Sequence, residues 1–92
     1  MSFQVIEIID EEKIRVAPRW KWSTGASDIV QVNGLSLASG EDADLQKTKL
    51  NKLLLNKTVE LNNPLRIIQE QLLCDVFLDG NHVNKELLKH QP

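Results

Sequence analysis

"DVFLDGNHVNKELL", residues 75–88, carries three structural instructions in one short run. Val76 and Leu78 continue an alternation begun at Leu72 and Cys74, the period of a strand with one buried face. Asp79-Gly80 predicts a tight turn of the kind that needs positive φ. "VNKELLKH" then reads as a short closing helix, with Asn84 suited to cap it.

Upstream, "FQVIEIIDEEKIRVA" reads as two strands joined by an acidic turn. Val5, Ile6, Ile8 and Ile9 are β-branched, and Ile14 and Val16 resume the alternation after Asp10-Glu11-Glu12-Lys13. Pro18 is expected to interrupt any central strand. "RWKWSTGAS" is expected to hold a turn or loop around Ser23, Thr24, Gly25 and Ser27. "DIVQVNGLSL" alternates Ile29, Gln31 and Asn33 against Val30 and Val32 as a third strand, with Gly34 suggesting a bulge. "SGEDADLQKTKLNKLLLN" changes to a helical period, and Ala43, Leu50, Leu53 and Leu54 can share one face. Ser39 and Asp42 form a capping-box pattern at its start. "TVELNN" is a fourth strand, closed by an Asn62-Asn63-Pro64 turn. In "LRIIQEQLLCDVFLDG" the first half is open between helix and strand, whereas Leu72–Leu78 is a fifth strand. Five strands with a helix between the third and fourth is the order of the five-stranded Greek-key barrel called the OB-fold. A mainly β protein with two or three helices follows, as one domain over residues 1–92.

Bulk composition sets limits on function. The chain has 92 residues, 41% hydrophobic and 26% charged, enough for a single core. A formal net charge of −2 provides no global attraction for nucleic acid or an anionic membrane, so such binding would need a local patch. Cys74 is the only cysteine, which rules out an internal disulfide. "MSFQVIEIIDEEK" turns acidic early and lacks a long apolar run. No signal peptide or membrane span is expected, and a cytoplasmic location is the default. No zinc-ligand, phosphate-loop or metalloprotease pattern occurs.

"LLCDVFLDGNHVNKELLK" resembles the closing hairpin and helix of staphylococcal-nuclease-like (thermonuclease) domains. "LNKLLLNKTVEL" resembles the family's helix leading into its fourth strand, "VIEIIDEEKIRV" its first hairpin, and "IVQVNGL" takes the place of the third strand. The similarity runs from Val5 to about His90. In active members it implies calcium-dependent hydrolysis of phosphodiesters, which needs carboxylates for the cation and arginines for the developing phosphate charge. Carried over position by position, a metal-ligand aspartate falls on Glu12 and an arginine on Gln31. A second metal aspartate falls on Ser36, the catalytic glutamate on Ser39 and a second arginine on Gln71. Between Ile29 and Gly40 there is neither an acidic nor a basic residue. The resemblance therefore implies a nuclease-like barrel whose catalytic residues are replaced, and no cofactor; calcium enters only if a divergent nuclease site survives.

Asp10 and Glu12 are the weak metal candidates, although an acidic turn is more simply solvated. "RVAPRWKWSTG" is the candidate binding segment. Arg15, Arg19 and Lys21 interleave with Trp20 and Trp22, a mixture able to stack bases and neutralise phosphates or to anchor a protein partner. On a strand the two tryptophans share one side and Arg19 and Lys21 the other. The plainer alternative is that the tryptophans cover the core. The expected function is a non-catalytic interaction module for protein or nucleic acid, with a homo-oligomer through Trp20 and Trp22 also possible. A divergent calcium-dependent nuclease and a single-strand nucleic-acid binder are the alternatives.

Overall fold

The computed structural model describes residues 2–35, 41–83, 85 and 86. Alternating apolar residues build its first three strands. β1 (Ser2–Ile8) buries Phe3, Val5 and Ile8, β2 (Lys13–Trp22) buries Ile14, Val16 and Trp20, and β3 (Gly25–Val32) buries Val30 and Val32. The acidic turn between β1 and β2 is shaped by Asp10, whose Oδ1 accepts from the backbone N–H groups of Glu12 (2.8 Å) and Lys13 (2.9 Å). Such an Asx-type turn is what a short side-chain acceptor favours.

The helix α1 (Glu41–Leu54) follows β3. Leu50 and Leu54, one turn apart, are fully buried, while Lys47 and Lys52 are exposed. Asn56 takes the left-handed conformation (φ 66°) that ends helices, and its N–H donates to the Val5 carbonyl. This bond ties the helix end to β1. At the other end, Gln46 donates to the Glu11 carbonyl (2.7 Å), so α1 also braces the first hairpin loop.

β4 (Thr58–Ile68), β5 (Gln71–Leu78) and the two-residue β6 (Asn81–His82) complete the sheet. Strand order is β3-β2-β1-β4-β5-β6, and a parallel pairing of β3 with β5 (Val30 with Leu72, Val32 with Cys74) closes five strands into a barrel. The connectivity matches the five-stranded Greek-key order expected from the sequence. The core is a continuous cluster running from Leu50 and Leu54 at the helix end to Phe3, Trp20 and Leu72.

Several local readings need correction. Pro18 does not end β2. The β2–β3 register jumps from Arg15–Ile29 to Trp20–Ser27, and the last β1–β2 pair is Gln4–Ala17. Pro18 thus occupies a stretch where neither neighbour requires its missing N–H. Within "RWKWSTGAS" β2 continues through Trp22, and the turn narrows from Ser23–Ser27 to Ser23-Thr24. β3 begins earlier than expected, at Gly25, and ends at Val32. Gly34 (φ 89°) lies in the turn after it, not in a bulge.

Asn62-Asn63-Pro64 does not close β4. It is a bulge, where Asn63, Pro64 and Leu65 oppose Cys74 alone before pairing resumes at Arg66–Leu73. The open segment Leu65–Ile68 is strand, and the true hairpin turn is Gln69-Glu70, both with positive φ (49° and 65°). Asp79-Gly80 forms the expected turn, with φ of 53° and 83°. Ser36, Ser39, Asn84 and His90 lie outside the described residues, as does the side chain of Asp42. No helix among the described residues is long and apolar enough to cross a membrane.

Candidate functional site

The β2–β3 register jump around Pro18 and the β4 bulge at Asn62-Asn63-Pro64 flank one end of the barrel. β1 begins at Ser2, opposite Glu60, and its pairing with β2 stops at Gln4–Ala17. Among the described residues no strand fills the space between Pro18–Trp22 of β2 and Leu61–Leu65 of β4. A cleft of about 480 Å³ occupies that space. Its walls are Pro18, Trp20 and Trp22 on one side and Leu61 and Pro64 on the other. Phe3, Leu72 and Cys74 form its floor, and Arg19 and Lys21 its rim. This volume and an apolar lining with a few polar groups are usual for ligand sites.

Beside the cleft the Ile67 side chain of β4 packs against the β2–β3 hairpin, where a β-carbon on Gly25 would lie 2.5 Å from Ile67 Cδ1 and would push that side-chain tip aside.

Within the candidate segment the five residues have distinct environments. Trp20 is 2% exposed, and its Nε1–H donates to the Ile29 carbonyl (2.8 Å). It is a core residue whose ring edge reaches the cleft. Trp22 is half-buried and packs against the core from the same side, as the strand period requires. Arg19 and Lys21 are exposed on the other side. Arg19 donates to the Ala26 carbonyl (3.4 Å) and its charge helps to lower the Asp28 pKa, but neither cation forms an ion pair among the described residues.

Arg15 is not part of this group. Its Nε donates to Glu7 Oε1 (2.9 Å) and its Nη1 to Asp28 Oδ2 (2.7 Å), tying β1, β2 and β3 together on the outer face. The Arg15 hydrogen bond holds the Asp28 carboxyl below the usual carboxylate range, against a smaller opposing effect of burial.

The positions to which the nuclease resemblance assigns chemistry partly converge. Gln31 Nε2 donates to Glu12 Oε2 (3.2 Å). Gln31 lies opposite Leu73, and Gln71 is two residues from Leu73 on the same outward face. The patch therefore holds one carboxylate and two neutral amides. Asp10 Oδ1 is occupied by its turn, and Asp10 Oδ2 lies 3.6 Å from Lys13 Nζ. Among the described residues no three His, Cys, Asp or Glu side chains gather as a metal-holding group. Ser36 and Ser39 lie outside the described residues.

Two features escaped the sequence. The first is the cleft's far wall and floor, because Phe3, Leu61, Pro64 and Leu72 come together only through register. The Asn62-Asn63-Pro64 break was a signal, but from the sequence it reads equally as a closing turn. The second is a polar cluster on Asp75. Its Oδ1 accepts from Asn33 Nδ2 (2.9 Å) and lies 3.1 Å from His82 Nε2, and its Oδ2 accepts from Asn63 Nδ2 (2.9 Å). Burial alone would raise the Asp75 pKa, but the bonds from Asn63, Asn33 and His82 together outweigh it and lower the value.

Cys74, on the cleft floor, is fully buried, and burial followed by the neighbouring Asp75 charge pushes its thiol up to about 12. It is a protonated, unreactive packing group. No protein-family model and no curated protein matches the chain.

Proposed function

We infer that the chain is a staphylococcal-nuclease-like barrel without phosphodiester chemistry, serving as a binding module for a protein partner. The observation that carries this reading is the apolar cleft at the open end of the barrel. It is walled by the tryptophan-bearing strand and rimmed by two exposed cations, Arg19 and Lys21, neither of which forms an ion pair among the described residues. The Glu12–Gln31 contact supports the loss of chemistry. A neutral amide stands where a cation would be needed to stabilise charge developing on phosphate, and one carboxylate is a poor calcium site.

The nucleic-acid alternative has less support. Arg15 is bound by two carboxylates, and Trp20 is sealed in the core, which leaves Trp22 alone rather than a stacking platform for successive bases.

Trp22→Ala, unlike replacement of both tryptophans, separates binding from folding. Partner capture by the wild-type protein is expected to be lost in Trp22→Ala while the variant still unfolds cooperatively. In parallel, single- and double-stranded nucleic acid incubated with the protein and calcium is expected to remain intact. Calcium-dependent cleavage that disappears in Glu12→Ala would establish the nuclease alternative instead.

A further inference from the structure

We propose that Asn33-Gly34 is a covalent modification site: spontaneous deamidation of Asn33, restrained by Asp75, acts as a timer that loosens the β3–β5 seam. The proposal goes beyond the binding-module reading and does not rest on it. Three observations lead to it.

The first is the dipeptide. Asn33 is the only asparagine in the sequence followed by glycine. Gly34 lies in the exposed turn after β3 with φ of 89°, and it has no β-carbon to obstruct approach to its nitrogen. In the reaction the Gly34 nitrogen attacks Asn33 Cγ. The new C–N bond closes a succinimide ring, and Nδ2 leaves as ammonia with the proton lost by Gly34. Water then opens the ring, its hydroxyl adding to one carbonyl and its proton returning to the nitrogen. Attack at Cγ gives aspartate and attack at the main-chain carbonyl gives isoaspartate, with no change of oxidation state.

The second is the clamp. Asn33 Nδ2 donates to Asp75 Oδ1 (2.9 Å), and the Asn33 main-chain N–H donates to the Cys74 carbonyl (2.8 Å). Ring closure needs freedom of the Asn33 side chain and main chain to bring Cγ onto the Gly34 nitrogen, and both bonds restrict that freedom. The acceptor is a strong one. Burial favours its neutral form, but the bonds from Asn63, Asn33 and His82 outweigh burial and favour the carboxylate.

The third is what the product meets. Two asparagines donate to Asp75, Asn33 and Asn63. Asn63 is barred from the same ring closure, because Pro64 has no N–H to give up. Asn33 is therefore the one that turns into an acid. Its new carboxylate faces Asp75 where an amide donated, so a hydrogen bond to a charged group becomes a repulsion between like charges. Val32–Cys74 is the last pair of the parallel β3–β5 ladder, so the loss falls on the end of the seam that closes the barrel. Isoaspartate also lengthens the main chain at that point.

The test incubates the protein in mildly alkaline buffer, folded and in guanidinium chloride, and follows each asparagine by mass spectrometry of proteolytic peptides. In guanidinium chloride Asn33 is expected to deamidate ahead of every other asparagine. In the folded protein it is expected to react about tenfold more slowly or less, the factor that a hydrogen bond to a charged acceptor is worth. Asp75→Ala is expected to restore most of that factor after correction for its unfolded fraction. Leu54→Ala, which destabilises the barrel from the helix end and leaves the clamp intact, is expected to restore none after the same correction. Asn33→Asp, a copy of the product, is expected to lower the denaturation midpoint. Combined with Asp75→Asn it is expected to lose less than the sum of the two single losses.

Equal rates in the folded and unfolded protein would refute the clamp, and so would an Asp75→Ala rate accounted for by its unfolded fraction alone. Where Asp75→Ala does not fold, the folded-against-unfolded comparison and Asn33→Asp decide. An Asn33 that stays intact in guanidinium chloride would refute the modification site. Wild-type stability in Asn33→Asp would refute the timer, because the product would then leave the seam unchanged.

Discussion

Asp75 shows how one residue on the outer face of a strand can organise several elements. Its carboxylate gathers Asn33 from beyond β3, Asn63 from the β4 bulge and His82 from β6, all on the outer side of β5. A carboxylate held by several donors is stabilised in its charged form. Its folded-state pKa lies below the ordinary value, the case in which stability is present above the unfolded pKa and lost as pH falls through the folded one. Wild-type stability is therefore expected to decline as pH drops below about 4, the unfolded aspartate value. Asp75→Asn is expected to be less stable at neutral pH and to show a shallower acid decline in denaturant titrations. An unchanged slope would remove Asp75 from the acid response. None of this was legible in the sequence. Asp75 was visible as the polar residue of an alternating strand, but Asn33 and Asn63 reach it only because β5 lies between β3 and β4.

The turns explain why some elements were read correctly and others were not. Asp79-Gly80 has the chemistry that a positive-φ hairpin turn demands, and there the sequence and the structure agree. Gln69-Glu70 makes the same demand with residues that resist it, since an L side chain in the left-handed region is strained. Without a turn signal, the first half of "LRIIQEQLL" stays open between helix and strand, and Asn62-Asn63-Pro64 offers the more evident end for β4. Tertiary pairing of Ile67 with Leu72 and Ile68 with Gln71 imposes the turn despite its residues. Replacing the pair by Gln69→Asn with Glu70→Gly is expected to raise stability by about 1 kcal/mol, read as a higher denaturation midpoint with unchanged m-value. A loss of stability would mean that the Gln69 and Glu70 side chains contribute contacts that the backbone argument omits.

At the scale of the molecule, fold class was legible because the changes between period 2 and period 3.6 fall in the order of a five-stranded barrel. A barrel follows from that order, but the register that closes it was not legible, because the β3–β5 pairing joins segments far apart in sequence. Closure also makes the barrel one cooperative body. Leu50 and Leu54 plug the end where α1 meets Val5, Trp20 sits toward the open end, and a single buried cluster connects them. A cavity at the plug should therefore be felt at the cleft. Leu54→Ala removes a fully buried side chain and is expected to cost about 2–5 kcal/mol. Helix loss followed by circular dichroism and barrel opening followed by tryptophan fluorescence should shift together, with coincident midpoints, as one two-state transition. A helix transition that precedes the fluorescence change would show that α1 is a separable cap. The open end would then be held by the sheet alone, and the shape of the cleft would not depend on the plug.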